Sequence, residues 1–245
     1  MTSVTLIIPC KDEAKRLETT VFLDAVREIP ELSLLFVNDG STDATGEILA
    51  YLVHASPAIA ALHLPKNGGK AEAVRAGVSH LLAQDRTGLI GFWDADLATP
   101  LEDVRRFVAV FERDPSAEMV IGSRWPHLGA SVERSGLRDL TGKLMKFLIR
   151  RVLSAPVYDT QCGAKVMTRE LAEEVFARKF LSPWLFDVEL FRRMGKRRIL
   201  KGVKELPLDS WRDVEGSKMT MGGALRSLVD LARIACSSKM VEYAV

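Results

Sequence analysis

Leu89-Ile90-Gly91-Phe92-Trp93-Asp94-Ala95-Asp96-Leu97-Ala98-Thr99-Pro100 is a short apolar run that stops at two carboxylates one residue apart. An apolar run of this length reads as a buried strand. With the strand carried through both acids, side-chain alternation turns Asp94 and Asp96 to the same side. Two like charges there repel unless something positive sits between them. A hard divalent cation, Mg2+ or Mn2+, itself holding a phosphate, meets that need. The plainer alternative is two solvated aspartates in a turn closed by Pro100. The rest of the chain favours the first reading, because it supplies partners for a metal-bound nucleotide.

Before this stretch, apolar runs alternate with helical patterns. Val4 to Pro9 is a strand, and a helix is expected from Glu13 or Ala14 to about Arg27. Ser33 to Val37 is a second strand, ending in the turn-rich cluster Asn38-Asp39-Gly40-Ser41-Thr42-Asp43. Such residues make turns and cap helices. A helix over about Ala44 to Val53, a strand over Ile59 to Leu64 and a helix over Ala71 to about Leu82 follow. The last is preceded by Lys66-Asn67-Gly68-Gly69-Lys70. After the paired acids, Leu101 to Glu112 is helical and Glu118 to Ile121 is a strand. Buried, non-alternating strands separated by helices predict a mostly parallel sheet with helices on both faces. Ligands of such sheets lie outside the carboxyl ends of the strands. Pro9 to Glu13, Asn38 to Asp43, Asn67 to Lys70 and Asp94 to Asp96 all fall at such ends.

The second half is less regular. Trp125 to Arg134 reads as a loop and Leu137 to Leu153 as a helix with an apolar stripe and five basic residues. Tyr158 to Lys165 is polar and turn-like. Helices over Glu170 to Ala177 and Phe186 to Met194, a strand over Val203 to Leu208 and an amphipathic tail from Gly222 to about Cys236 complete it. With no repeat, low-complexity segment or clean linker, one domain is expected over 1–245. Residues about 1–122 form its first half, about 123–220 its second half and 221–245 a C-terminal amphipathic tail.

Totals narrow the function. The 245 residues are 47% hydrophobic and 27% charged, ordinary for a globular enzyme, and the net charge of +2 gives no case for nucleic-acid binding. Cys10, Cys162 and Cys236 are too scattered for a disulfide framework, and no Cys or His stands at zinc-site spacing. The four histidines show no pairing. The N-terminus lacks the pattern of a signal peptide, and no apolar run approaches the roughly 20 residues of a membrane span. A cytoplasmic location is expected, with any bilayer contact peripheral, on the cytosolic membrane face.

With these residues assembled, the chain resembles a family 2 inverting glycosyltransferase of the nucleotide-sugar-binding GT-A fold, and within it the dolichyl- or polyprenyl-phosphate mannose and glucose synthases. The resemblance rests on Ile8-Pro9-Cys10-Lys11-Asp12-Glu13, Val37 to Asp43, Asn67-Gly68-Gly69-Lys70, Asp94-Ala95-Asp96 and Gly122-Ser123-Arg124. It continues in Asp159-Thr160-Gln161-Cys162-Gly163, Phe186-Asp187-Val188-Glu189 and Trp211 to Lys218. It spans about residues 4 to 220, and the Asp-Thr-Gln-Cys-Gly stretch leans toward the glucose-synthase-like branch.

The resemblance implies roles for these positions. Asp39 holds the donor base or ribose, with Pro9 and Glu13 in the first nucleotide-contacting loop. Gly68 and Gly69 admit a ligand close to the backbone, and Lys70 faces the diphosphate at a helix N-terminus. Asp96 ligates Mg2+ or Mn2+ directly, and Asp94 bridges to ribose or metal. Some lipid-phosphate synthases carry a glutamine two residues after the second aspartate. Ala98 stands at that position here, so water or phosphate completes the shell. Arg124, Arg138 and Lys218 are candidate phosphate clamps, since a guanidinium fork bonds two phosphate oxygens at once. Asp159, Gln161 and Asp187 line the sugar pocket. Asp187 is a general base if the acceptor is a hydroxyl, and a positioning group if the acceptor is an already ionised phosphate.

The expected activity is metal-dependent, inverting transfer of a hexose from a UDP- or GDP-sugar to polyprenyl phosphate. One alternative keeps the fold and uses a hydroxyl acceptor. A sugar nucleotidyltransferase is disfavoured by a first loop, Pro9 to Ala14, without glycine. A non-catalytic sugar-nucleotide sensor is the third reading. The 137–153 helix is either a core helix with a solvated face or an interfacial helix on anionic lipid. The sequence leaves the sugar, the base, the acceptor and the oligomeric state open.

Overall fold

In a computed structural model the chain is described over residues 2–84, 88–125, 131–132, 147–153, 155–211 and 221–237, with backbone alone at 131–132 and 221–226. Four strands open the fold: β1 (Val4–Cys10), β2 (Leu32–Asp39), β3 (Ile59–Leu64) and β4 (Leu89–Phe92). Between them run α1 (Thr19–Glu28), α2 (Thr45–Ala55) and α3 (Lys70–Leu82). A 3-10 turn at Leu101–Asp103 leads into α4 (Val104–Arg113) and then β5 (Met119–Ser123). The second half holds β6 (Ser131–Val132), a helical segment α5 (residues 147–153), β7 (Lys165–Met167), α6 (Arg169–Phe176) and α7 (Phe186–Met194). It ends with α8 (Lys196–Gly202), β8 (Val203–Pro207), β9 (Ser210–Trp211) and α9 (Met221–Cys236).

The main sheet has seven strands in the order β3-β2-β1-β4-β7-β5-β8. β1 is parallel to β2 and β4, β2 to β3, and β5 to β8. Only β7 runs against its neighbours, with Lys165 opposite Phe92 on one side and Ile121 on the other. The carboxyl ends of β1, β2, β3, β4 and β5 therefore share one rim, and β7 begins there.

Alternation along the strands builds two core layers. Ile7, Leu35, Val37, Ile90 and Phe92 face α3, α6 and α7. Leu6, Ile8, Leu34, Phe36 and Leu89 face Phe22 of α1, Leu49 of α2 and Phe107 of α4. This is the expected architecture of helices on both faces of a mostly parallel sheet. Burying a side chain of this size is worth about 1.5–3 kcal/mol, so the layers, not the short helices, hold the rim loops in place.

Several expectations are corrected. α1 starts at Thr19, not near Glu13: a single helical turn forms there, with Leu17 N–H donating to Glu13 O at 3.0 Å, and it is not continued. Asp12, Glu13 and Ala14 donate to Ser41 Oγ, Thr45 Oγ1 and Asp43 Oδ2 at 3.0, 2.8 and 3.1 Å. The expected loop over Trp125 to Arg134 contains β6, which pairs in parallel with β9. β7 and α8 were not anticipated: β7 is three residues long with a lysine in it, too short for a periodicity to register. Of the expected 137–153 helix, residues 147–153 are helical and the part before 147 lies outside the described residues.

Candidate active site

β4 ends at Phe92, so Asp94 and Asp96 stand in the loop beyond it and strand alternation does not orient them. Two local devices do. Leu97 takes a left-handed backbone, φ 55°, uncommon for a branched side chain, and turns the chain just after the second acid. Asp96 Oδ1 accepts from Ala98 N–H at 3.1 Å, which locks that turn.

Asp94 is held from both sides. It pairs with the Lys70 ammonium through Oδ1. Its carboxylate also lies against Gly163, where an added Cβ would meet Oδ2 at 1.8 Å. Glycine is required at 163 by that approach alone. Burial opposes charge on both partners, yet their mutual attraction prevails: Asp94 is held below the usual aspartate range and Lys70 above the usual lysine range. After Lys70, the charges of Lys165 and Arg124 also favour the Asp94 carboxylate. Asp96 goes the other way. Burial, then the charge of Asp94, pushes its carboxyl above the usual range. Paired acids with opposed shifts are a hallmark of functional sites.

The Lys70 end is built by β2 and the glycine loop. Asp39, at the last position of β2, accepts from Gly68 N–H at 2.7 Å and from Gly69 N–H at 2.8 Å. Gly69 has φ 85°, open to glycine at no cost, and opens α3 with its carbonyl accepting from Glu72 and Ala73. Asp39 is thus an acidic cap on the positive end of α3, buried at 3% exposure, with both oxygens engaged. The first loop docks beside it through the Lys11 ammonium, which donates to Gly40 O at 2.9 Å. Pro9 sits opposite Val37 in the β1–β2 ladder, and Glu13 makes a two-bond pair with Arg16 at 2.8 and 2.6 Å.

Beyond β5, Arg124 grips Asp159 with Nε and Nη2 at 2.5 and 2.7 Å and adds its backbone N–H at 3.1 Å. Its guanidinium lies 5.0 Å from the Trp211 ring centroid. Glu205 of β8 accepts from the N–H groups of Tyr158 and Asp159 and fixes that turn. Gln161 is exposed on it. Burial disfavours the charge on Arg124, but the Asp159 contact keeps it firmly protonated.

Asp187 opens α7 and reaches Lys165 of β7 at 2.6 Å; the same ammonium donates to Cys162 O at 2.6 Å. Lys165 is fully buried, 5.1 Å from the Phe92 ring centroid. Sequence reasoning missed this lysine. The available signal was one cation inside the apolar run Ala164-Lys165-Val166-Met167. Glu189, two residues on, is structural: it accepts from Leu181 N–H and from Arg193.

The structure therefore brings Asp94, Asp96 and Asp187 within electrostatic reach of the Lys70 ammonium beyond the end of β4, with the charges of Lys165 and Arg124 also felt at Asp94. Arg138 and Lys218 lie outside the described residues. Asp94 and Asp96 form a hard, all-oxygen donor pair that fits Mg2+ or Mn2+. Among the described residues no group of three potential ligand side chains is clustered. The remaining positions of such a shell fall to phosphate and water.

The chain is similar to known proteins in sequence and in fold. The model for "Glycosyl transferase family 2" matches residues 5–176. A dolichyl-phosphate beta-glucosyltransferase of Trichomonas vaginalis, ALG5C, is 34% identical over 243 residues, covering 94% of this chain and 70% of the relative. The Homo sapiens dolichyl-phosphate beta-glucosyltransferase is 29% identical over 88% of this chain and 69% of its own length. Among solved structures, glucosyl-3-phosphoglycerate synthase from Mycobacterium tuberculosis in complex with Mn2+, UDP and glucosyl-3-phosphoglycerate superimposes with a TM-score of 0.71. It covers 96% of this chain and 80% of that one at 16% identity, a likeness of fold.

Proposed function

We propose, for a chain that belongs to glycosyl transferase family 2, that it transfers glucose from UDP-glucose to a polyprenyl phosphate of the dolichyl type, inverting the anomeric centre. The single observation that carries the reading is the cluster at the end of β4: Lys70 on Asp94, Asp96 beside them, Asp187 within electrostatic reach. Relatives named dolichyl-phosphate beta-glucosyltransferases support the acceptor and the sugar, and solved neighbours holding UDP-glucose with Mn2+ support the donor.

In this reading Asp39 and the glycine loop form the floor under the nucleotide, and the Lys70 ammonium meets the diphosphate. Asp94 and Asp96 hold Mg2+ or Mn2+. When bound, the metal offsets the charge that builds on the departing nucleoside diphosphate. Lys70 adds a second positive charge at the same place. The acceptor phosphate is already a nucleophile at neutral pH, so no side chain has to take its proton. Asp187 fits this chemistry: its carboxylate is committed to Lys165, and the pair acts as a fixed wall for the sugar. Arg124 and Asp159 steady the opposite wall, and much of the rate comes from positioning and preset charge.

The test is a panel of UDP- and GDP-sugars with Mn2+ or Mg2+, with and without polyprenyl phosphate. Glucosylated lipid from UDP-glucose, absent without metal and lost in Asp96→Ala, is the expected result. Transfer to a hydroxyl acceptor alone, with loss of activity in Asp187→Asn, overturns the acceptor assignment.

A further inference from the structure

A turn beside the glycine loop displays apolar side chains that the fold does nothing to bury. Residues 177–184 read Ala-Arg-Lys-Phe-Leu-Ser-Pro-Trp. Phe180 points inward, its ring centroid 5.3 Å from Phe176 and 5.5 Å from Phe186, with the Arg193 guanidinium 4.0 Å over it. Ser182 is fully buried; its hydroxyl donates to Asp230 of α9 at 2.8 Å and accepts from Leu185 N–H at 2.9 Å. Arg193 donates to the carbonyls of Arg178 and Lys179 at 2.9 and 2.8 Å, and Glu189 accepts from Leu181 N–H at 2.7 Å. The turn is thus held through its backbone at 178, 179 and 181 and through the side chains of Phe180 and Ser182. With the turn so held, Leu181 is 50% and Trp184 69% exposed, with Pro183 exposed between them. Arg178 and Lys179 are exposed on the approach to this tip.

The tip lies next to the donor loop. Pro183 packs where a Cβ on Gly69 would meet it at 3.1 Å, and Lys179, Phe180 and Pro183 line a cavity of about 470 Å³ with Gly68, Ala71 and Glu72. A rigid tip of tryptophan, proline and leucine beside two cations has the chemistry of a bilayer interface. Tryptophan settles at headgroup level, and lysine and arginine are drawn to anionic headgroups.

We propose that residues 178–184 are where this protein rests on an anionic membrane surface, with Leu181 and Trp184 entering the headgroup layer. The proposal deepens the acceptor reading above and rests on it for its purpose: a lipid phosphate approaching from that surface arrives beside Gly69 and Lys70.

The test uses the full chain and phosphatidylcholine vesicles with or without phosphatidylserine, free of polyprenyl phosphate and of nucleotide-sugar. Flotation is expected to show binding to the anionic vesicles, with a blue-shifted tryptophan emission. Leu181→Ala with Trp184→Ala is expected to lower the partition coefficient about tenfold. Leu181→Ile with Trp184→Phe is expected to keep most of it. Lys179→Glu is expected to weaken binding to anionic vesicles alone. An unchanged thermal midpoint confirms the fold of each variant. Wild-type binding in the double alanine variant overturns the proposal. So does a wild-type chain that ignores both vesicles, or one that forms a dimer which the double variant dissolves. Transfer to polyprenyl phosphate in detergent micelles is expected to be equal in wild type and double variant. Absence of transfer in both, with vesicle binding retained, counts against the acceptor reading and leaves the docking surface standing.

Discussion

The Lys165 ammonium, with no exposed surface, lies 2.6 Å from the Asp187 carboxylate, joining the antiparallel strand β7 of the main sheet to the first turn of α7. Both charges are out of water, so each depends on the other. Lys165→Met is expected to cost about 3–5 kcal/mol, because it strands a buried carboxylate. Adding Asp187→Leu to Lys165→Met is expected to recover most of that loss. Urea unfolding of the two variants measures it; equal losses would show that the pair is not coupled.

Asp187→Asn separates the two acceptor chemistries. The amide retains a hydrogen-bond acceptor for Lys165 but cannot take a proton. With a phosphate acceptor, transfer is expected to fall by no more than about tenfold and to keep its pH profile, since general-base catalysis contributes about a hundredfold or more where it operates. Initial rates across pH 5.5–9 decide the matter.

Gly163→Ala is expected to act on Asp94, whose oxygen occupies the space the new methyl needs. The methyl forces the carboxylate off Lys70. Titration of UDP with Mn2+ by calorimetry is expected to show binding weakened by about tenfold or more, equivalent to about 1.4 kcal/mol. Far-ultraviolet circular dichroism is expected to stay as in wild type.

Affinity for Mn2+ in the presence of UDP is expected to rise with pH through the mildly acidic range. In the proposed site the metal would bind the ionised carboxylate, and Asp96 holds its proton to a higher pH than an ordinary aspartate because of burial and the neighbouring charge of Asp94. Asp94, drawn the other way by Lys70, stays ionised throughout. A proton therefore competes with the metal at Asp96 first. Electron paramagnetic resonance of free Mn2+ between pH 4.5 and 7.5 follows the competition; an affinity independent of pH would contradict it.

Thiol labelling is expected to be selective. Burial, followed by the charge of Asp159, pushes the Cys162 thiol up to about 11, and Cys10 is also raised by burial. Cys236 is exposed. At pH 8 one thiol is expected to react quickly with a disulfide reagent and the other two only after denaturation.

How far the sequence spoke depended on length of pattern. The layered sheet was legible because Val4 to Pro9, Ser33 to Val37 and Leu89 to Phe92 are apolar without interruption, and each ends in polar residues at one rim. The charged cluster was legible for the same reason: Lys70, Asp94 and Asp96 stand just past strand or loop boundaries. Lys165 was not, since a three-residue strand offers no periodicity and a lysine in it argues for the surface. The start of α1 was misread because the helix signals at Glu13 serve a single turn, which Ser41, Asp43 and Thr45, about thirty residues away, tie to the next loop. The orientation of Asp94 was assigned to strand alternation, but it comes from Lys70 and from the missing side chain of Gly163.

The position of β7 has a consequence for how the chain is made. Its three residues lie between β4 and β5, although more than forty residues separate it in sequence from the end of β5. During synthesis β4 can pair with β1 as soon as it emerges, but its other edge stays open until residue 167 has left the ribosome. Until then Gly91 and Phe92 present unpaired backbone groups, the kind of edge that recruits other chains. Closing that gap also brings Gly163 to Asp94 and sets Lys165 where Asp187, later in the chain, meets it. Assembly of the rim around Asp94 and protection against self-association during translation thus both wait for β7.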